Sequence, residues 1–307
     1  MSAGKRPSTE VAHPGTGELG SGSPLAGVDL MLAADRELIE VVASAREEIA
    51  RAVELAAASL REGGRLFYVG AGTSGRLGVL DAVECPPTFC TPPDQVQGVL
   101  AGGAGAMWCA VEGAEDDATA GGMDLRARGA QGADVVLGIT ASGRTPYVHG
   151  ALAWARAHGL TTALLACVPA SELLPEHTRV DVVIAVPTGP ESLAGSTRLR
   201  AGTATKLVLN MLSTLTMAQL GRVHQNLMVD VNTGGNAKLW QRGVRLVTEL
   251  VGCDAGRAEE LLTAADGRVK VAVVMGAAGL EPGGAEARLA EAGGVLATAL
   301  AAARDAL

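Results

Sequence analysis

Two short segments rich in glycine and hydroxyl side chains are the first candidates for a binding site. Residues 70–75 read GAGTSG, follow an apolar run and precede a helical pattern. The segment matches G-x-G-x-x-G, whose backbone N–H groups at a helix N-terminus bind phosphate, so one interpretation is a dinucleotide site. The second predicted strand, however, ends in AGGAG (residues 101–105) and lacks the acidic residue that binds the ribose of a dinucleotide. A tight turn without a ligand is the other interpretation.

The second segment, residues 140–146 (TASGRTP), favours a smaller ligand. Hydroxyl groups and a glycine again precede a helix, with Pro146 in its first turn. In a parallel sheet with strand order 2-1-3-4-5, the loops after strands one and three face the crevice where such sheets bind ligands. Hydroxyl and backbone N–H groups fit the phosphomonoester of a small molecule better than a dinucleotide. The two loops therefore predict a phosphate site.

Two groups of carboxylates are the candidates for acid–base chemistry. Glu84 lies among apolar residues just before two prolines, where we expect burial to disfavour ionisation, as a general acid or base requires. Glu115 lies in the acidic run EGAEDD, residues 112–117. Helix ends and surfaces also collect such residues, so a structural role is the alternative for both. Ten residues of straight helix would separate Ser74 from Glu84 by about 15 Å, so either this helix breaks or a second subunit contributes.

Other catalytic patterns are absent from the sequence. It contains no G-x-S-x-G, H-E-x-x-H or P-loop pattern. The five cysteines include no C-x-x-C pair and lie in apolar stretches, which predicts reduced core thiols and neither a disulfide framework nor a zinc site. The histidines lack a carboxylate or hydroxyl at triad-like spacing, and we interpret each as structural or as a surface residue. They are His13, His149, His158, His177 and His224.

Composition excludes several classes of partner. The net charge is −8, which gives no general attraction for nucleic acid or anionic membranes, and the aromatic fraction of 2% argues against base stacking. No stretch approaches the roughly 20 apolar residues that a membrane span needs. No apolar run follows Lys5 and Arg6, so we expect no secretory signal peptide and a cytoplasmic location.

The elements that must position these residues alternate between strands and helices. This pattern predicts an α/β fold with a flavodoxin-like, doubly wound, five-stranded parallel sheet. The predicted helix at residues 196–220 is apolar around much of its circumference, which a dimer interface would explain. Strands are predicted at residues 66–70, 96–101, 134–139, 161–167 and 180–186, and helices at 75–84, 112–123, 146–158 and 196–220.

The chain divides into four predicted parts. Residues 1–27 are rich in Gly, Ser and Pro, and we expect a flexible N-terminal segment. Residues 28–62 have helical spacing, and residues 63–222 form the α/β domain with the candidate site. Residues 223–307 form a C-terminal helical subdomain, in which residues 269–275 fit either a strand or a buried helix.

Longer blocks of sequence resemble one family. The blocks are GGRLFYVGAGTSGRLGVLDAVECPPTF (63–89), AVEGAEDD (110–117), ASGRTPYV (141–148), GSTRLRAGTATKLVLNMLST (195–214) and NLMVDV (226–231). In these blocks the chain resembles the N-acetylmuramic acid 6-phosphate etherases, which are lyases built on a sugar isomerase (SIS) domain. Weaker similarity extends through the C-terminal helices.

The resemblance implies a reaction and the residues that carry it out. Enzymes of this family cleave the lactyl ether of N-acetylmuramic acid 6-phosphate to N-acetylglucosamine 6-phosphate and D-lactate, in cell-wall (peptidoglycan) recycling. The reaction requires no metal and no redox cofactor, and we expect a homodimer that binds a small sugar phosphate. By resemblance Glu84 is the proton donor and acceptor, and Glu115 is the second catalytic carboxylate, which we assign to the incoming water.

The resemblance also implies binding residues. The hydroxyls of the two loops would bind the phosphate, and residues in or beside later blocks would lie near the sugar, with local capping or pairing as the alternative for these. The loop residues are Gly72, Thr73, Ser74, Gly75, Ser142, Gly143, Arg144 and Thr145, and the later ones are Glu191, Ser196, Arg198 and Lys206.

Three positions depart from the family pattern, and two other functions stay open. His13 stands where Asn is usual, Val168 replaces an Asn, and residues 232–238 are one residue longer than usual. These departures concern contacts with the substrate and leave the reaction class unchanged. One alternative is an aldose–ketose isomerase, which also removes a C2 proton but releases no D-lactate. The other is a sugar-phosphate sensor such as glucokinase regulatory protein, against which the retention of both Glu84 and Glu115 argues.

Overall fold

A parallel β-sheet with helices on both faces positions the candidate site. The computed structural model describes residues 7–231, 233–235 and 237–304. Its strands are β1 (Leu66–Gly70), β2 (Val96–Leu100), β3 (Val135–Thr140), β4 (Thr161–Ala166), β5 (Val182–Ala185), β6 (Val223–His224) and β7 (Leu227–Met228). Its helices are α1 (Pro24–Asp35), α2 (Leu38–Ala43), α3 (Arg46–Arg61), α4 (Gly72–Phe89), α5 (Ala118–Ala127), α6 (Pro146–Ala157), α7 (Arg200–Gln219), α8 (Ala237–Val251), α9 (Ala255–Ala264), α10 (Val269–Ala278), α11 (Pro282–Glu291) and α12 (Leu296–Arg304).

The first five strands form the predicted sheet. All pair in parallel, in the order β2-β1-β3-β4-β5. Tyr68 of β1 faces α4, where Gly78 allows close approach, whereas Phe67 and Val69 pack on the opposite face with Val148 of α6. Because helices cover both faces, β1 and β3 are buried along their whole length and read as continuous apolar runs. The predicted α/β fold and strand order are confirmed.

The described chain forms two compact units. The first contains the residues up to Val83 together with Asp94–Ser213, and the second contains Glu84–Pro93 together with the residues from Thr214 onward. The second unit has its own apolar core, to which Val247, Leu262 and Val273 contribute with almost no exposed surface. In the part of the chain that the structure describes, no helix is both long enough and apolar enough to cross a membrane. The four-part domain organisation stays a prediction.

Several helices differ from the sequence prediction. The helical pattern of residues 28–62 is divided among α1, α2 and α3, and residues 269–275 belong to the buried helix α10 rather than to a strand. The helix predicted at residues 112–123 begins only at Ala118, so the acidic run precedes it. The prediction of core thiols is wrong for Cys109, which is exposed, although all five cysteines are free.

The structure describes the N-terminal segment from Pro7 onward, and residues 1–6 lie outside the described part. Polar contacts hold it on the first unit. The backbone N–H and the hydroxyl of Ser8 both donate to Glu172 Oε2, at 3.1 and 3.3 Å. Thr16 Oγ1 donates to the Ser192 carbonyl at 2.8 Å, and Ala12 pairs with Glu191 in a parallel bridge. The segment lacks an apolar period because these contacts are polar.

Asp134 ties the beginnings of β1 and β3 together. Its carboxylate is buried and accepts from the Arg65 backbone N–H at 2.7 Å and from the Arg65 guanidinium at 2.8 Å. It also accepts from the Gln131 backbone N–H at 2.8 Å. Removing this buried carboxylate takes the acceptor from two backbone N–H groups and from one face of a largely buried guanidinium, which is costly.

We therefore expect Asp134→Ala to lower the free energy of unfolding by about 3 kcal/mol. Urea denaturation of the purified chain measures this change. Glu54→Ala removes the exposed pair with Arg51 and serves as a control, since such pairs contribute no more than about 1 kcal/mol. Equal losses in the two variants would contradict the role given to Asp134.

Candidate active site

The first loop joins β1 to α4. Gly72 has a φ of +53°, a left-handed conformation that favours glycine, and α4 begins there. A Cβ at Gly75 would clash with the Gly70 carbonyl oxygen, so the glycine lets the first turn of α4 lie against the end of β1. Thr73 and Ser74 are half-buried in this turn. The loop therefore presents two hydroxyls and the N-terminal N–H groups of a helix together.

The second loop joins β3 to α6 at the same edge of the sheet. Gly70 is in register with Ile139, so the first and second loops follow neighbouring strand ends. The hydroxyls of Thr140 and Thr145 are 2.9 Å apart and hydrogen-bonded. The Arg144 N–H donates to Ser142 Oγ at 3.3 Å, which leaves the hydroxyl hydrogen of Ser142 available to a ligand. The structure thus brings the two predicted phosphate loops together.

A cavity of about 270 Å³ links the first loop to the acidic run. Ala71 and Gly72 line one part of it, and residues 110–116 line another, with the exposed Glu115 among them. Arg76 also lines this cavity, and its Nε donates to the Ala106 carbonyl at 2.9 Å. Arg76 lies one turn into the helix that follows the glycine motif, and no pattern in the sequence marks it as a site residue.

Glu115 is held by a short turn and not by a helix. The turn Ala114–Asp116 follows Gly113, whose φ is +75°. The next residue, Asp117, caps α5 by accepting from the N–H groups of Thr119 and Ala120, each at 2.9 Å. The acidic run therefore forms a turn at Ala114–Asp116 and caps α5 through Asp117. Glu115 belongs to the turn and lines the cavity.

Glu84 lies on the exposed surface of a continuous helix. Helix α4 extends through Phe89 and includes both prolines, so the proposed break between Ser74 and Glu84 does not occur. The expectation that Glu84 is buried is also wrong: Ala82 and Cys85 are buried, whereas Val83 and Glu84 are exposed. Apolar neighbours in sequence lie on different sides of a helix, which explains the difference. A contribution from a second subunit is the alternative that is left.

Of the residues predicted near the sugar, Glu191 and Lys206 have local partners. Glu191 is fully buried, and its two carboxylate oxygens accept from the N–H groups of Arg200 and Ala201, at 2.7 and 2.9 Å, at the start of α7. Burial raises the pKa of Glu191, and these helix N–H groups oppose the rise. Lys206 Nζ is 3.2 Å from Asp81 Oδ1. The local capping and pairing left open by the sequence therefore occur at both residues.

Ser196 and Arg198 lie in the turn before α7. The backbone N–H of Ser196 donates to the Leu193 carbonyl at 2.9 Å, and its side chain is half-buried. Arg198 is exposed. Thr73 of the first loop lies near this helix, because a Cβ at Gly202 of α7 would be 3.5 Å from the Thr73 methyl group. The beginning of α7 thus borders the first loop.

Two histidines support the second loop, which sequence spacing did not reveal. His149 Nε2 and His177 Nδ1 lie 2.9 and 3.2 Å from the carbonyl oxygen of Gly143. The two imidazole rings are stacked, with centroids 3.4 Å apart. Burial lowers the pKa of His149 to about 4; the Gly143 carbonyl and Glu176 oppose this shift, and the charge of His177 adds to it. The prediction of a structural role holds for both residues, but their position beside the loop was not expected.

The chain resembles known proteins in sequence and in structure. Residues 48–156 match the family described as glucokinase regulatory protein N-terminal SIS domain. A phosphoheptose isomerase from Francisella tularensis is similar in structure, with a TM-score of 0.49 and 17% identity over 64% of this chain and 100% of that one. At this identity the match says nothing about the reaction. The sheet, its two loops and the family match define the class as proteins with a SIS domain.

The curated relatives are similar over nearly the whole chain. An N-acetylmuramic acid 6-phosphate etherase of Gloeobacter violaceus is 53% identical over 95% of this chain and 94% of its own length. Etherases of Synechocystis and Serratia proteamaculans are each 50% identical, over 96% and 95% of this chain and 95% and 97% of their own lengths. The chain belongs to the N-acetylmuramic acid 6-phosphate etherase family. The family predicted from the sequence blocks is thereby confirmed.

The lowered pKa of His149 predicts a loss of stability in acid. The unfolded chain takes up this proton near pH 6.5 and the folded chain only near pH 4. Between these values the unfolded state binds more protons, so the free energy of unfolding falls as the pH falls. We expect His149→Gln to show a shallower fall between pH 6.5 and 4 than the unmodified chain, measured by urea denaturation. Parallel profiles of the two proteins would contradict this assignment.

Proposed function

We propose that the chain cleaves the D-lactyl ether of N-acetylmuramic acid 6-phosphate to give N-acetylglucosamine 6-phosphate and D-lactate, in peptidoglycan recycling. Membership of the etherase family supports this reaction. The observation that carries the proposal is the cavity lined by both the first phosphate loop and Glu115. Ala71 and Gly72 of the first loop line this cavity together with Arg76 and Glu115, which supports an anion site beside a carboxylate.

The reaction proceeds by elimination and hydration. In the open-chain sugar the C1 aldehyde acidifies the C2 proton, and a carboxylate removes it. The electrons of the C2–H bond form a C2=C3 double bond while the C3–O bond breaks, and lactate leaves with the electron pair of the C3–O bond and takes up a proton to form its hydroxyl. Water then adds its oxygen to C3, and a proton returns to C2. The sum is hydrolysis of an ether, so the oxygen of the new C3 hydroxyl comes from water.

Binding of the phosphate belongs to the two loops. We assign it to the hydroxyls of Thr73, Ser74, Ser142 and Thr145, with the N–H groups around Gly72, Gly75, Gly143 and Arg144. Both loops precede helices, α4 and α6, whose N-terminal dipoles favour an anion. The chain as a whole is acidic, with a net charge of −8, so this local site must supply the attraction that the overall charge does not.

The proton transfers belong to two carboxylates. We assign Glu84 to the C2 proton and Glu115 to the incoming water. Glu115 borders the cavity beside the first loop, which supports its part. We place Ser196 and Arg198 near the sugar and give Glu191 and Lys206 a positioning role, because Glu191 caps α7 and Lys206 pairs with Asp81.

The first experiment is an incubation with N-acetylmuramic acid 6-phosphate in heavy-oxygen water. We expect release of D-lactate and one heavy oxygen in the sugar product. Glu84→Gln and Glu115→Gln should each lower kcat by at least about 100-fold, the usual contribution of a positioned acid or base. Glu48→Gln, an exposed glutamate of α3, is the matched control and should retain full activity.

Each alternative function gives a different result in this experiment. An isomerase would convert the aldose to a ketose without lactate, and a sensor would bind the sugar phosphate without any product. Lactate release that survives in Glu84→Gln would overturn the role of that residue while leaving the reaction class intact.

We also propose a homodimer whose active sites take residues from both subunits. Glu84 belongs to the second compact unit, whereas Glu115 and both loops belong to the first. Helix α4 is continuous between Ser74 and Glu84, which supports a contribution from a partner subunit. A cytoplasmic location completes the proposal and is supported by the five free thiols, which a reducing compartment maintains.

Mixing two inactive variants tests the shared site. If Glu84 and Glu115 of one site come from different subunits, a heterodimer of Glu84→Gln with Glu115→Gln contains one intact site. Equal mixing by refolding should then restore about a quarter of the wild-type activity, since half of the dimers are mixed and each has one good site. No recovery in a mixture that sedimentation shows to be dimeric would place both carboxylates on one subunit.

A further inference from the structure

The stacked pair His149 and His177 acts on one carbonyl of the second loop. His149 lies on α6 and His177 in the segment between β4 and β5, so two separate parts of the first unit converge on Gly143. A carbonyl oxygen has two lone pairs, and two ring nitrogens lie within hydrogen-bond distance of this one, at 2.9 and 3.2 Å. The Gly143 carbonyl therefore has its full complement of donors on one side.

This arrangement fixes the orientation of a single peptide group. In a trans peptide the carbonyl and the following N–H point in opposite directions. With the Gly143 carbonyl turned toward the histidines, the Arg144 N–H points the other way, where it donates to Ser142 Oγ at 3.3 Å. The histidines thus determine which face of the peptide meets the predicted phosphate site.

The conformational freedom of Gly143 makes the support of its carbonyl by the two histidines necessary. Gly143 has a φ of +72° and is buried, and a Cβ there would clash with Leu173, so other residues do not fit. A glycine, however, tolerates both orientations of the peptide that follows it. In the flipped orientation the carbonyl oxygen would face the phosphate and repel it. The two histidine N–H donors favour the orientation in which the carbonyl faces the histidines and the Arg144 N–H faces Ser142 Oγ.

The two hydrogen bonds to the Gly143 carbonyl require a specific tautomer of each histidine. Each neutral imidazole has one N–H, so His149 must carry its proton on Nε2 and His177 on Nδ1 to donate to the carbonyl. Rings stacked at 3.4 Å disfavour two positive charges, and both nitrogens that point away from the carbonyl are left as acceptors. Asn and Gln provide matched replacements, because the amide of Asn lies near the His Nδ1 position and that of Gln near Nε2.

We propose that His149 and His177 are positioning residues that hold the Gly143–Arg144 peptide with its N–H on Ser142 Oγ, so that the Ser142 hydroxyl hydrogen is left for the bound phosphate. This inference rests on the proposed function only in taking the second loop as the phosphate site. The pair touches no reacting atom, so it contributes to binding the phosphate equally before and during the reaction. Loss of such uniform binding raises KM and leaves kcat unchanged.

The experiment compares donor-deleting with donor-retaining variants. His149→Leu with His177→Leu removes both N–H groups, whereas His149→Gln with His177→Asn retains them. Titration calorimetry with inorganic phosphate and with N-acetylglucosamine 6-phosphate measures binding, and D-lactate release measures KM and kcat. We expect the leucine pair to weaken binding and raise KM by about tenfold, the effect of losing one to two hydrogen bonds, with kcat within twofold. The amide pair should restore most of the affinity.

A control and a spectroscopic measurement accompany these assays. His158→Leu removes a histidine on the surface just after α6, where it stacks on Trp154 away from the loop, and should leave KM unchanged. Long-range nitrogen–proton NMR of the intact chain should show His149 protonated on Nε2 and His177 on Nδ1. Circular dichroism and urea denaturation establish that each variant is folded.

The outcomes separate this inference from the proposed function. Normal turnover with an unchanged KM in the folded leucine pair would overturn the inference and leave the lyase reaction standing. Phosphate binding that depends on the pair in a chain that releases no lactate would support the inference and contradict the proposed function. Failure of the amide pair to bind better than the leucine pair, or the opposite tautomers by NMR, would also overturn the role given to the two histidines.

Discussion

The pairing of β1 with β3 is the constraint on which the candidate site depends. The two strands are neighbours in the sheet, although β2 lies between them in the chain, and Gly70 pairs in register with Ile139. Because parallel strands end at the same edge of the sheet, the pairing of β1 with β3 is enough to bring the loops that follow them side by side. Close packing of α4 and α6 on opposite faces of β1 then fixes where each loop turns into its helix.

Buried polar side chains complete this arrangement at both edges of the sheet. Asp134 connects the beginnings of β1 and β3, and Glu191 holds the first N–H groups of α7. The same principle operates at the second loop, where His149 and His177 satisfy the Gly143 carbonyl. A buried polar group is costly without partners, so each of these side chains specifies one geometry as well as adding stability. The exposed carboxylates Glu84 and Glu115 have no such internal partners among the hydrogen bonds of the described chain.

The sequence revealed the sheet and both loops because their signals are local. Five apolar runs, each followed by a turn, determine the strand pattern, and glycine with hydroxyl residues identifies the loops at residues 70–75 and 140–146. The prediction that Glu84 is buried is wrong because apolar neighbours in sequence do not share one face of a helix. The helical period places Ala82 and Cys85 on the buried face of α4 and Val83 and Glu84 on its exposed face. The polar anchoring of the N-terminal segment and the His149–His177 stack depend on partners far away in the chain, which no local pattern reports.

The anchoring of the N-terminal segment has a consequence for the order in which the chain folds. Ser8 bonds to Glu172, 164 residues later, and Thr16 bonds to Ser192, 176 residues later. Glu172 is next to Leu173, which packs on Gly143, and Ser192 is next to Glu191, which caps α7. During synthesis this segment is made before its partners, so it must wait for most of the sheet before it finds them. Contacts of such sequence separation form late, because the loop between them must be ordered first. The N-terminal segment thus reaches its native place after the elements that follow it, and its contacts lie beside Leu173 and Glu191, two residues that support the candidate site.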